Sequence, residues 1–216
     1  MKGRGFLNNR QLHLALLAIV LGVLTWSGIG PHDRFTWFLE VAPALLYMLV
    51  LFITYKRFPL SDLLYVLIAI HAIILMIGGH YTYAEVPLFN WLRDTFDLSR
   101  NHYDRVGHFA QGFIPALIAR EVLLRTSPLP RGKWLSFIII CICLAISAAY
   151  ELIEFGMAVA TGTAADAFLG SQGDVWDSQK DMLMCLIGAI TALITLPGFH
   201  DRSLQKLLSK ADSLDS

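Results

Sequence analysis

Glu151 and Glu154 lie three residues apart, late in an apolar stretch that begins near Trp134. Read as a helix rising 1.5 Å per residue, that stretch carries Glu151 about 26 Å and Glu154 about 30 Å from its start, on one shared face. Both carboxylates then stand at the far boundary of a hydrocarbon core. Asp104 and His108, four residues apart, open a second such stretch, and Asp174, Asp177 and Asp181 lead into a third at i, i+3 and i+7. Three helix ends thus offer metal-ligand or acid–base side chains at one depth. An ionisable residue at the bilayer centre costs about 2.5–3.5 kcal/mol, so groups placed in or beside spans need a reason to be there.

Six carboxyl groups (Asp104, Glu151, Glu154, Asp174, Asp177 and Asp181) face the two cations Arg105 and Lys180. A partly desolvated site cannot hold that excess ionised; either protons stay on, or a cation binds. Carboxylates mixed with imidazole suit Zn²⁺, Mn²⁺ or iron, whereas carboxylates alone suit Mg²⁺ or Ca²⁺, and His108 favours the first group. The chemical expectation is a divalent metal held by His108, Glu151, Asp177, Asp181 and Asp104. Arg100, Arg105 and Lys180 would hold a phosphate, and Glu154, left off the metal, would act as general base in hydrolysis or transfer on a lipid or envelope-linked phosphate.

Plainer readings compete. Asp174 or Asp177 can cap a helix N-terminus, and Glu151 and Glu154 can pair with Arg105 and Lys180, leaving a noncatalytic protein with a structural ion or salt-bridge cluster. A proton- or ion-coupled transporter would carry polar residues through to the inner side, yet apart from His13 and His71 the inner halves of the spans read as apolar. Those two histidines read as helix–helix hydrogen-bonding residues. His80 and His102 flank the segment between the third and fourth stretches, within possible reach of the cluster. Neither His-Glu-x-x-His nor Gly-x-Ser-x-Gly occurs.

The elements that must position these groups follow from composition. Of the 216 residues, 56% are apolar and 16% charged, with a mean hydropathy of +0.56; the solvent is lipid. Six stretches are long and apolar enough to span: 12–29, 36–55, 63–79, 106–124, 134–155 and 182–199. The fourth is the weakest, carrying His108, Gln111, Pro115 and Arg120. With the N-terminus cytoplasmic, six spans put twelve of the seventeen Lys and Arg residues inside and leave Arg34, Arg93, Arg100, Arg105 and Lys180 outside, as the positive-inside rule requires. A five-span chain would place the basic loop Arg125–Lys133 on the wrong side. Trp26, Trp37, Trp134 and Trp176 fall at helix ends, the headgroup level. The first span, with no small-x-small site after it, reads as an uncleaved anchor.

Between spans three and four, Leu88, Phe89, Leu92 and Phe96 recur at helical spacing beside Arg93, Asp94 and Asp97, which predicts a short helix on the outer interface. The whole chain, 1–216, reads as one all-α membrane domain in the inner membrane, with both termini cytoplasmic and a polar tail over 201–216. Its partners are membrane lipids; the balanced charge offers no footprint for nucleic acid. Cys141, Cys143 and Cys185 lie in apolar runs as small hydrophobes, and the first two point to different faces.

On these motifs the chain resembles the YjdF family of bacterial inner-membrane proteins over nearly its whole length, a likeness that implies no assigned activity. More remotely, its C-terminal half resembles VanZ-like membrane proteins, which show Asp-basic-x-x-His, Glu-x-x-Gln and Asp-x-x-x-Asn-x-x-Gly. The counterparts are Asp104-Arg105-Val106-Gly107-His108, Glu151-Leu152-Ile153-Glu154 and the run from Asp181 to Gly188. Glu154 stands where Gln is usual and Cys185 where Asn is usual, so no ligand role carries over to those two. The remote likeness implies a cell-envelope setting.

Overall fold

The first five apolar stretches fall largely within single helices of the computed structural model, which describes residues 9–161 and 171–215, and the sixth breaks at Leu196. In chain order the helices are α1 (Asn9–Ser27), α2 (Arg34–Thr54), α3 (Asp62–Tyr81), α4 (Pro87–Phe96), α5 (Tyr103–Thr126), α6 (Lys133–Thr161), α7 (Asp177–Thr195) and α8 (Pro197–Asp215), with a single 3₁₀ turn at Tyr83–Glu85. No strand occurs among the described residues. Local signals set several boundaries. Asp33 Oδ1 accepts the Thr36 N–H at 2.7 Å and so caps α2, and Pro87 occupies the first turn of α4, where a missing N–H costs nothing. Asp97, at φ 51°, ends α4 in the left-handed region.

By length and apolarity alone, α1, α2, α3 and α6 can cross a membrane, and a fifth crossing is added if α7 and α8, bent by 67° at their junction, count together. Helix α5 falls short because Asp104, Arg105, Arg120, Glu121 and Arg125 lie within it. Its charges cluster toward the two ends, and the stretch from Val106 to Ala119 has none.

Side-chain contacts fix the direction of each helix. At one end His80 of α3 bonds the Ser27 carbonyl after α1 at 3.0 Å, Arg105 of α5 pairs with Asp181 of α7, and His108 of α5 meets Glu151 of α6. At the other end His13 of α1 joins Tyr55, just past α2, to Asp62 of α3, while Ser61 and His200 both reach Glu121 of α5. Helices α1, α2, α3, α5, α6 and α7 therefore alternate in direction, and α5 runs parallel to α7.

The parallel pair is the closest contact in the fold. A Cβ on Gly112 would lie 1.8 Å from the Cys185 carbonyl oxygen, and one on Gly188 would lie 2.1 Å from that of Phe109. Gly112 with Ala116, and Gly188 with Ala192, repeat the small-xxx-small spacing that lets two backbones touch where no hydrophobic effect drives helices together. Leu64, Ile68, Ile114, Leu117 and Ile139 fill the layer between the two ends. Helices α1 and α2 both lean on α3.

The polar segment after Asp201 is helical and continues α8, which buries His200 and Leu204. Cys141 is exposed while Cys143 and Cys185 are buried, all three as free thiols, so the first two point to different faces as their spacing predicted. The segment between α3 and α5 does form a short amphipathic helix, α4, with Leu88, Trp91 and Phe96 exposed.

Candidate functional site

The α5, α6 and α7 ends that share the Glu151 level converge as the spacing predicted. His108 Nδ1 lies 2.9 Å from Gln111 Oε1 one turn along α5; a carbonyl oxygen only accepts, so Nδ1 carries the proton. Nε2 faces three carboxylates: Asp104 Oδ1 at 3.4 Å, Glu151 Oε1 at 3.7 Å and Asp181 Oδ1 at 3.8 Å. All four residues are buried. Ligand atoms of Asp104, His108 and Asp181 lie within 4.8 Å of one another, and Glu151 Oε1 has no hydrogen-bond partner among the described residues.

Beside this group Arg100 and Arg105 enter the cluster as its counter-charges. Arg100 donates to Asp177 Oδ1, to the Ser171 carbonyl at 3.2 Å and to Asp104 Oδ2 at 3.4 Å. Arg105 donates to Asp181 Oδ1, to Asp177 Oδ1 at 2.5 Å and to Asp174 Oδ2 at 3.3 Å. Lys180 closes the ring on Asp174 at 2.7 Å. Asp177 is thereby shared by two guanidinium groups, and a phosphate at Arg100, Arg105 or Lys180 would compete with aspartates already there. The sequence balance counted only Arg105 and Lys180; Arg100, which precedes α5 in the chain, folds back into the cluster as well.

Electrostatics at the rim follow the same contacts. The Lys180 ammonium bonded to Asp174 holds that carboxyl below the usual carboxylate range. Burial, together with the neighbouring Arg100, Arg105 and Lys180, pushes the His102 imidazole below its ordinary value. His80 does not reach the cluster, being bonded to the Ser27 carbonyl and packed on Trp26.

A cavity of about 690 Å³ opens sideways between α2 and α6, floored by α3 and α5. Asp104, His108, Gln111 and Glu154 line it, and so do Glu40 and His71. Glu40 carried no signal in the sequence: a single acid within α2, it has no ligand-type neighbour at i±3 or i±4. His71 was read as a helix–helix hydrogen-bonding residue, but neither ring nitrogen makes a hydrogen bond among the described residues. His13 does fulfil that reading. Its Nδ1 accepts from Tyr55 and its Nε2 donates to Asp62, both at 2.9 Å.

The opposite end of the bundle is less apolar than the sequence suggested. Glu121 accepts from the Ser61 amide at 3.0 Å, from Arg125 at 3.0 Å and from His200 at 3.0 Å, and Arg120 bonds His200 at 2.7 Å and Asp201 at 2.8 Å. Each charged or imidazole group in it is partnered, and the layer of Leu64, Ile68, Ile114 and Leu117 lies between this network and the site at the other end.

Comparison with known proteins accords with this architecture. The model of a family described as predicted membrane protein (DUF2238) matches residues 12–202. The chain is 49% identical over 195 residues to the inner membrane protein YjdF of Escherichia coli (strain K12), covering 90% of this chain and 93% of that one. No solved structure matches.

Proposed function

The chain belongs to the DUF2238 family of predicted membrane proteins, and on that premise we propose that it crosses a bacterial inner membrane six times, with both termini cytoplasmic, and binds a divalent cation at its outer end. The alternating helices support six crossings, because α5 and α7 lie side by side, parallel, among helices apolar enough to span. The twelve-to-five bias of basic residues sets the orientation, and α4 then rests on the outer interface. A maleimide that cannot cross the membrane should label Gly132→Cys only from the cytoplasm and Val175→Cys only from outside. The reverse pattern defeats the orientation.

One observation carries the cation: the Nε2 atom of His108 faces three carboxylate oxygens at 3.4–3.8 Å. These separations exceed an ordinary N–H···O bond of about 2.7–3.2 Å. Ligand atoms of Asp104, His108 and Asp181 lie within 4.8 Å of one another, a spacing that admits an ion with bonds of about 2.0–2.6 Å. The Gln111 contact fixes the tautomer as a partner behind a metal-bound histidine does. Asp104, His108 and Asp181 would form the inner ligand set with Glu151 beside them, Arg105 sharing Asp181 Oδ1 and both arginines Asp177 Oδ1, and the imidazole favours Zn²⁺, Mn²⁺ or iron over Mg²⁺.

In this reading the protein is a metal-dependent enzyme acting on a lipid or envelope-linked phosphate. The substrate would enter through the lateral cavity, a bound ion would supply Lewis-acid activation of water, and Glu154 on the cavity wall would take the proton. Arg100, Arg105 and Lys180 hold the phosphate once it displaces their aspartates. The ion pairs already in place favour a second reading, a structural ion clasp joining α5, α6 and α7. Titration of purified full-length protein with Mn²⁺ and Zn²⁺ tests what both readings share. Stoichiometric binding that His108→Ala abolishes supports it; a folded wild-type chain that takes up neither metal overturns it. Loss of folded yield in His108→Ala would favour the clasp.

A further inference from the structure

Opposite the cation site, the lateral cavity holds two polar side chains that the site does not use. Glu40 and His71 are 1% and 2% exposed, and both line the cavity. Neither oxygen of Glu40 and neither nitrogen of His71 has a hydrogen-bond partner among the described residues. The Tyr83 amide faces Glu40 but lies outside hydrogen-bonding geometry. A buried polar group left this way costs about 1–3 kcal/mol, and four such atoms, on the α2 wall and the α3 floor, mark a surface shaped for something that completes them.

The chemistry of that guest can be read from the lining. Glu40, Asp104 and Glu154 contribute three carboxyl groups, His71 and His108 two imidazoles, and no Lys or Arg lines the cavity. The head of the guest must therefore donate hydrogen bonds or carry positive charge. Apart from Gln111 and the tyrosines Tyr47, Tyr83 and Tyr150, the rest of the wall is aliphatic, and Leu46, Ile146 and Ile153 at the mouth are exposed on the faces of α2 and α6. A molecule entering there comes from the bilayer and keeps its tail in it.

We infer that the cavity between α2 and α6 binds the head of an aminophospholipid, with its ammonium group at Glu40 beside His71 and its phosphate turned toward Asp104 and His108. The phosphate half rests on the cation reading, since an anion among these carboxylates needs a metal to hold it. The ammonium half stands on Glu40 and His71 alone.

The test is native mass spectrometry of the full chain released from bilayers containing equal amounts of phosphatidylethanolamine and phosphatidylglycerol with identical tails. Wild type should retain the ethanolamine lipid about tenfold over the glycerol lipid, the factor expected of one charge-assisted hydrogen bond. Glu40→Gln should remove that preference, and Leu46→Trp, a change at the exposed mouth, should lower ethanolamine-lipid retention without altering glycerol-lipid retention. Equal retention of the two lipids by wild type, or a preference that survives both variants, overturns the inference. Should Glu40→Gln fail to fold, Leu46→Trp decides alone. Mn²⁺ binding measured on the same samples separates the two readings: an ethanolamine preference without metal binding removes only the phosphate half, and metal binding without the preference removes only the lipid.

Discussion

His108 Nε2 and Glu151 Oε1 face each other at 3.7 Å across the α5–α6 interface, and the histidine is turned that way because its other nitrogen is committed to Gln111. The contact with Gln111 is a neutral one at 2.9 Å and can be removed without changing any proposed ligand. Gln111→Leu should keep the fold and weaken Zn²⁺ or Mn²⁺ binding by about 10–100-fold, the usual cost of losing the group behind a metal-bound histidine. Calorimetric titration reads it directly. Unchanged affinity would mean that the imidazole is oriented by something else.

The convergence of these groups was legible because it rests on helical periodicity. Asp104 and His108 share a face by spacing, Glu151 reaches their level by counting rise, and Asp181 lies a turn inside α7. Arg100 was harder to place, since it lies in the loop before α5 and only the chain's path brings it back onto Asp177 and Asp104. Glu40 and the Glu121–His200 pair were invisible for a related reason. Each gains its meaning from a partner or cavity wall on another helix, and single-helix periodicity says nothing about which helices become neighbours. The α5–α7 contact could have been anticipated from Gly112, Ala116, Gly188 and Ala192, whose small-xxx-small spacing is a sequence signal.

That contact makes a sharp demand on two glycines. A methyl group at Gly112 or Gly188 meets backbone, at 1.8 Å and 2.1 Å, which cannot swing aside as a side chain would. Gly112→Ala and Gly188→Ala should each force α5 and α7 apart, at a cost above the roughly 1–3 kcal/mol typical of overpacking, and should displace Arg105 from Asp181. Gly22, with nothing within 4 Å of an added Cβ, is the control. Folded yield in detergent should fall for the first two and hold for Gly22→Ala; equal yields in all three would show that the helices do not touch there.

The rim of the site should respond to acid through His102. Its imidazole is held below the ordinary value by burial and by Arg100, Arg105 and Lys180, so the folded chain binds fewer protons than the unfolded one as pH drops through the ordinary histidine range near about 6.5. The contribution to stability is full above that value and declines as pH falls toward the lowered folded value. His102→Gln should flatten this part of the thermal-stability profile relative to wild type. An identical pH slope in the variant would assign the dependence to other groups.

At the opposite end, His200 is the hinge of a network that pins α8 against α5. The Arg120 guanidinium can only donate, so His200 Nδ1 accepts from it at 2.7 Å and Nε2 carries the proton given to Glu121 at 3.0 Å. Both His200 and Glu121 are fully buried, and the Ser61 amide and Arg125 occupy the other Glu121 oxygen. Removing the imidazole strands one carboxylate oxygen and leaves Arg120 with Asp201 alone. His200→Ala should therefore cost about 1–3 kcal/mol, and a double-mutant cycle with Glu121→Gln should return a coupling of about 0.5–3 kcal/mol. Because the apolar layer of Leu64, Ile68, Ile114 and Leu117 lies between, metal binding at the far end should be unchanged in His200→Ala. A loss of metal affinity there would show that the two ends communicate through α5, and the separation argued from that layer would fail.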